Sequence, residues 1–313
     1  MSYRRAILDV DTGHDDAVAI MMAARDPALA LEGITVTAGN QTLPKTLQNT
    51  LNLCSALDIA APVYGGMTRP LMAELEPAAR IHGESGFDGP VFDSCGKKAE
   101  KEHAVNFLVD AVMGAASGEI TLIAVAPLTN IAMAMRLEPA FAGRLGELII
   151  MGGSMGRGNV TPSAEFNIHT DPEAASIVFN SGANITMIGL DVTTTVVLDD
   201  ARLNALKGIP GSAAKIFAAS MEHYSAACKA YTGECPAMHD PCCVAYASDP
   251  SIIAARRAAV DIELSGAYTR GRTVVDLVGS SGKKQNALIA LSIDNARFWA
   301  RLEDALGRYR DRD

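Results

Sequence analysis

The sequence has few aromatic residues, no excess of basic charge and no long apolar run. Its 313 residues include 8 Phe, 7 Tyr and 1 Trp, 5% of the chain, which leaves few ring platforms for stacking single-stranded nucleic acid. Lys and Arg number 27 against 36 Asp and Glu, a formal net charge of −9, so the basic face expected of a nucleic-acid binder is missing. The longest apolar stretch near the start, Ala17 to Ala24, falls far short of the ~20 residues that span a bilayer. Asp9 and Asp11 interrupt the apolar run that follows Arg4 and Arg5, so no secretory h-region is expected. The 6 cysteines contain no Cys-x-x-Cys pair and no disulfide-like density, and the expected compartment is a reducing cytoplasm. Cys235, His239 and Cys242 could be grouped as a zinc site, but no fourth ligand is evident.

What remains is a globular composition, 49% hydrophobic and 20% charged, whose core must be aliphatic. Short apolar runs alternate with helical patterns. Strands are expected at Ala6–Val10, Gly33–Ala38, Ile120–Val125, Glu147–Met151 and Ile185–Leu190, with helices near Asp15–Arg25, Pro44–Leu57, 103–116, 127–137 and 172–181. This rhythm predicts a mainly parallel sheet with helices on both faces. The final third changes character. Helices near 211–230 and 239–247 precede strand-like runs at Ala258–Leu264, Thr273–Val278 and Ala287–Ile293, and a helix near 294–308 closes the chain. With no repeat or linker between these parts, residues 1–313 read as one domain with an elaborated C-terminal third. Ligands in such folds sit beyond the carboxyl ends of the strands.

After the first strand, Asp9, Asp11, Asp15 and Asp16 crowd into one strand-to-helix turn. Four like charges so close are unfavourable without a cation among them, and a hard divalent ion with oxygen ligands, Ca²⁺ or Mg²⁺, answers that need. Asp15 and Asp16 also suit the first turn of a helix, but capping leaves Asp9 and Asp11 unexplained. The register excludes an EF-hand, because counting from Asp9 puts Ile20 where Glu is required.

The stretch Asp9-Val-Asp11-Thr-Gly13-His-Asp15-Asp16-Ala17 resembles the N-terminal signature of the inosine–uridine-preferring nucleoside hydrolases. Further blocks follow in that family's order: Val36-Thr-Ala-Gly39-Asn40-Gln41-Thr42, Ile81-His82-Gly83-Glu84-Ser85-Gly86, Pro127-Leu-Thr129-Asn130-Ile131-Ala132, Met151-Gly-Gly153, Ala164-Glu165-Phe166-Asn167, Asp171-Pro-Glu173-Ala-Ala175 and His239-Asp240-Pro241. The resemblance covers essentially the whole chain. It implies a nucleoside-hydrolase-like α/β fold and hydrolysis of ribonucleosides to ribose and free base. It implies a Ca²⁺ held by Asp11, Asp16, Asp240 and the main-chain carbonyl of Val125, touching both a water and the ribose diol. Asp11 would be the general base, and His239 would protonate the leaving base, with His82 a second catalytic candidate. Asp15, Asn40, Asn159, Glu165 and Asn167 would bind the ribose, with Met151 and Phe166 beside them and Tyr231 facing the base. His14 is left without a role.

The closest likeness is to pyrimidine-preferring members, which share His82, His239 and Tyr231, although Ala227 stands where they carry an amide side chain. Uridine and cytidine are therefore expected to be somewhat favoured over inosine. The resemblance further implies a homotetramer or homodimer. Two rivals fit less well. Asp9-x-Asp11 also resembles the start of haloacid-dehalogenase-type phosphatases, but Gly13 sits where they want Thr or Val. A nucleoside-binding receptor would need an export signal and no activated water.

Overall fold

The computed structural model describes residues 3–93 and 95–309. Along the first half run β1 (Arg4–Val10), α1 (His14–Arg25), β2 (Leu29–Val36), α2 (Leu43–Ala56), β3 (Val63–Gly65), α3 (Ala79–His82), α4 (Ala104–Gly114), β4 (Ile120–Ala124), α5 (Thr129–Leu137), α6 (Phe141–Arg144) and β5 (Glu147–Met151). The second half contains α7 (Phe166–Thr170), α8 (Pro172–Phe179), β6 (Ile185–Ile188), α9 (Leu190–Thr193), α10 (Asp200–Lys207), α11 (Ser212–Thr232) and α12 (Pro241–Ser248). It closes with β7 (Ile253–Ile262), β8 (Thr273–Asp276), β9 (Ala287–Ile293) and α13 (Asn295–Gly307).

One sheet of nine strands crosses the molecule in the order β3-β2-β1-β4-β5-β6-β9-β7-β8. From β3 to β9 every neighbouring pair is parallel, and β7 alone runs against the rest. The mainly parallel sheet and the mixed C-terminal third are thus as expected. Alternation within β1 explains its central place: Ala6, Leu8 and Val10 enter the apolar layer beneath α1 and α12, while Ile7 enters the layer beneath α4 and α5. A strand apolar on both faces is stable only when helices cover both.

Several boundaries differ from the sequence reading. The strand expected at Gly33 begins at Leu29, and the one expected at Ala258 begins at Ile253 because exposed Arg256 breaks its apolar pattern. The strand expected to reach Leu190 stops at Ile188, and Leu190 opens the short helix α9. β3, α3, α6, α7, α9 and α10 were not expected.

Successive strands move outward from β1 through β2 to β3 on one side, and from β4 through β5 to β6 on the other. The chain therefore reverses direction across the sheet between β1 and β4, the crevice where ligands of such sheets bind. The Val125 N–H donates to Asp9 O at 2.9 Å, which pins the loop after β4 beside the one after β1.

Candidate active site

The turn from β1 into α1 is built by its own carboxylates. Asp16 accepts from the N–H of Asp11 at 3.0 Å and of Gly13 at 2.9 Å, so one side chain shapes the turn and caps the helix. Asn40, in the loop after β2, donates its N–H to Asp11 Oδ2 at 2.6 Å and its amide Nδ2 to Asp16 Oδ2 at 3.1 Å. Gly39 is required here, since a Cβ at that position would overlap Asp11 Oδ2 and meet Pro127 Cδ at 2.9 Å. From the other end of the chain, Asp240 enters at the start of α12, which Pro241 initiates.

Asp15, Asp16 and Asp240 are all buried, and their carboxylate oxygens lie within 4.8 Å of one another. Asp11 stands outside that trio, but its Oδ1 is buried with no partner. Burial pushes Asp15 and Asp16 up to about 6, and it raises Asp11 and Asp240 well above the usual carboxylate range, with charge repulsion from Asp16 on Asp11 and from Asp15 on Asp240 adding to it. Gathering these groups away from water is costly unless a cation joins them. The oxygen-only donor set suits a hard divalent ion. The cysteine-containing alternative is not assembled: His239 Nδ1 is 2.7 Å from Thr193 Oγ1, and Cys242 donates to Met238 O.

Of these carboxylates, Asp15 and Asp240 open onto a cavity of about 470 Å³. Asp15, Asn40, His82, Val125, Met151, Asn159, Glu165, Phe166, Asn167, Tyr231, His239 and Asp240 all line it. Asp11 and Asp16 lie behind that lining, tied to Asn40. Asn167 donates its amide to Val125 O at 2.9 Å and to Met151 O at 3.1 Å, joining the ends of β4 and β5. Glu165 caps α7 through the N–H groups of Asn167 and Ile168 and also accepts from the Gly153 N–H, while burial raises it to about 7. Asn159 accepts from the Phe166 N–H at 2.9 Å.

Of the two candidate histidines, His82 lies against His14 and Tyr224, and His239 against Thr193. Burial lowers His239 to about 4 and His82 well below its ordinary value. His82 Nδ1 lies 3.1 Å from His14 Nδ1, and the His14 ring stacks on Tyr224 with centroids 5.1 Å apart. Sequence reasoning missed His14, because its partner is 68 positions away. Thr193 was missed too, lying in a run of three threonines with nothing to single it out. The structure brings Tyr224, Cys228 and Tyr231 of α11 to the cavity and leaves Ala227 out of its lining. The spacing of four and seven from Tyr224 is the signal that would have found that face.

Amides and carboxylates converging beside a buried acidic floor, at the switch point of a parallel sheet, define an enzyme site for a small polyhydroxylated molecule rather than a surface for a macromolecule. The chain belongs to the inosine-uridine preferring nucleoside hydrolase family, whose model matches residues 6–300, and is a hydrolase acting on N-glycosyl compounds. It is 44% identical over 310 residues, 99% of each chain, to the pyrimidine-specific ribonucleoside hydrolase RihB of Escherichia coli strain SE11. Among solved structures it is similar to a plant nucleoside hydrolase, with a TM-score of 0.90 and 30% identity over 97% of this chain and 99% of that one. A purine-preferring ribonucleoside hydrolase from Gardnerella vaginalis matches with a TM-score of 0.90 and 31% identity over the same shares. Among the described residues no helix is long and apolar enough to cross a membrane.

Proposed function

We propose that this enzyme hydrolyses the N-glycosidic bond of ribonucleosides with the aid of Ca²⁺, favouring uridine and cytidine somewhat over inosine. The convergence of buried Asp15, Asp16 and Asp240 from opposite ends of the chain is the observation that carries the reading. Asp11, Asp16, Asp240 and the Val125 carbonyl would hold the cation, and the unpartnered Oδ1 of Asp11 fits that role. When bound, such an ion supplies a concentrated positive charge that holds oxygen ligands and favours ionisation of water.

Asp11 acts as the general base, taking a proton from the water that attacks C1′ as the bond to the base stretches. Asp15, Asn40, Asn159, Glu165 and Asn167 bind and orient the ribose, whose hydroxyls both donate and accept. Met151 and Phe166 shape the walls. Thr193 holds Nδ1 of His239, which leaves Nε2 for the departing base, and a ring kept uncharged by burial serves as an N–H donor there. His82 and Tyr231 complete the base end of the cavity. The pyrimidine preference is supported by the name of the Escherichia coli relative. We also read the chain as one domain, since a single sheet takes strands from Arg4 to Ile293, and as a cytoplasmic homodimer or homotetramer.

Incubation with uridine, cytidine, inosine and adenosine in phosphate-free buffer, with free base and ribose quantified, tests the reading. Release of both products without phosphate is expected, fastest from the pyrimidine ribosides. No release from any of the four contradicts it, and a requirement for phosphate would make the enzyme a phosphorylase.

A further inference from the structure

Two guanidinium groups line the cavity, and they differ in what they do. Arg270 is occupied by Glu173, meeting its two carboxylate oxygens at 2.8 and 2.9 Å. Arg80 has neither ion pair nor hydrogen bond among the described residues, and its guanidinium lies 4.6 Å from the centroid of the Tyr231 ring. Stacking on an aromatic face uses the plane of a guanidinium and leaves the N–H donors of its edge unsatisfied. Arg80 precedes His82 by two residues on α3, which packs against α11, the helix that carries Tyr231. The cavity thus has beside Tyr231, the side chain read above as facing the base, a cation whose donors are free among the described residues.

We propose that Arg80 is a specificity-determining residue that reads the exocyclic oxygen at C4 of uracil or C6 of hypoxanthine, sorting oxo-bases from amino-bases within each ring class, uridine from cytidine and inosine from adenosine. This rests on the ribonucleoside hydrolase reading of the site. When the C1′–N bond of uridine or inosine breaks, its electron pair stays on the ring nitrogen and spreads onto the carbonyl oxygens of the base. The water oxygen bonds to C1′, one of its protons goes to Asp11, and the base takes up a proton from Nε2 of His239 as it leaves, which solvent restores. A guanidinium edge donates to such an oxygen and opposes the negative charge growing on it. Cytosine and adenine carry an amino group, a donor, where uracil and hypoxanthine carry the oxygen, and two donors facing each other repel.

The test compares the full-length, Ca²⁺-loaded wild type with Arg80→Met and Arg80→Lys on uridine, cytidine, inosine and adenosine. Arg80→Met is expected to lose about 10- to 100-fold in kcat/KM on uridine and inosine, the value of a charge-assisted hydrogen bond. Cytidine and adenosine should hold their rates or rise by up to about threefold, because the substitution removes a donor that faces their amino group. Arg80→Lys keeps the charge without the planar fork and should fall between the two. Because Arg80 is exposed, circular dichroism and Tm should match the wild type. If the wild type hydrolyses uridine and Arg80→Met leaves the uridine-to-cytidine ratio unchanged, Arg80 only packs on Tyr231 and the proposal is overturned. A wild type that hydrolyses none of the four overturns both the proposal and the reading beneath it.

Discussion

Asp11 has one carboxylate oxygen committed and one waiting. Oδ2 accepts the Asn40 N–H at 2.6 Å, while Oδ1 is buried without a partner, so the side chain is oriented but not saturated. An orphaned buried oxygen carries a desolvation penalty, which protonation or a bound cation relieves. Its role as base predicts that Asp11→Ala loses about two to four orders of magnitude in kcat on uridine, the usual worth of positioned acid–base catalysis. Steady-state kinetics check this, and a near-normal rate would transfer the base role to another group. Beside it, Asp9 Oδ1 accepts from Thr35 at 2.5 Å and from Asn130 at 2.8 Å and so braces the strand ends, while its Oδ2, like Oδ1 of Asp11, is buried without a partner.

At the scale of elements, the site is a junction of loops after β1, β2, β4 and β5 with the starts of α1, α7 and α12. The loop after β2 approaches so closely that Gly39→Ala forces either Asp11 or Pro127 to move. That substitution should cost about 1–3 kcal/mol, as overpacking does, and should lower kcat by displacing the base. Denaturant melts and kinetics on the same preparation test both effects, and an unchanged kcat would show that Asp11 is not positioned from this side. The β1–α1 turn was legible in the sequence because four carboxylates in eight positions have no cheap explanation. The main strands were legible from aliphatic runs after each helical pattern. The wall that faces the base was not. α3 is only four residues, Ala79–His82, with no apolar period, and it meets α11 through contacts that no local pattern encodes. The pairings of His14 with His82 and Thr193 with His239 join residues 68 and 46 positions apart.

For the whole molecule, the net charge of −9 is a total, and the placement of a few carboxylates is what carries the chemistry. Asp15 and Asp16 at about 6 and Glu165 at about 7 would return toward about 4 in the unfolded chain. At these carboxylates the cation-free folded state binds more protons than the unfolded state, which lowers stability as pH rises from about 4 to about 7. Buried His14 and His239, lowered to about 4, and His82, lowered well below its ordinary value, give the opposite slope between about 4 and 6.5. Asp249, held near 2 by Ser251 and Arg301, has the opposite dependence, but its contribution is lost only below about 4, outside this window. Above about pH 6.5 the histidines no longer oppose the carboxylates. Chelated protein should therefore show a Tm that drops between about pH 6.5 and 7.5, whereas a bound cation stabilises the ionised carboxylates and flattens that slope. Parallel slopes with and without Ca²⁺ in thermal melts would mean that the acidic floor is not the cation site.

The most direct measurement is uridine hydrolysis in phosphate-free buffer by the same preparation before chelation, after exhaustive chelation and after Ca²⁺ is restored. Ribose and uracil should appear together, turnover should collapse when the cation is stripped, and Ca²⁺ should recover it. Undiminished turnover by protein shown to be free of divalent metal would contradict the assignment of Asp11, Asp16, Asp240 and the Val125 carbonyl to a cation on which hydrolysis depends.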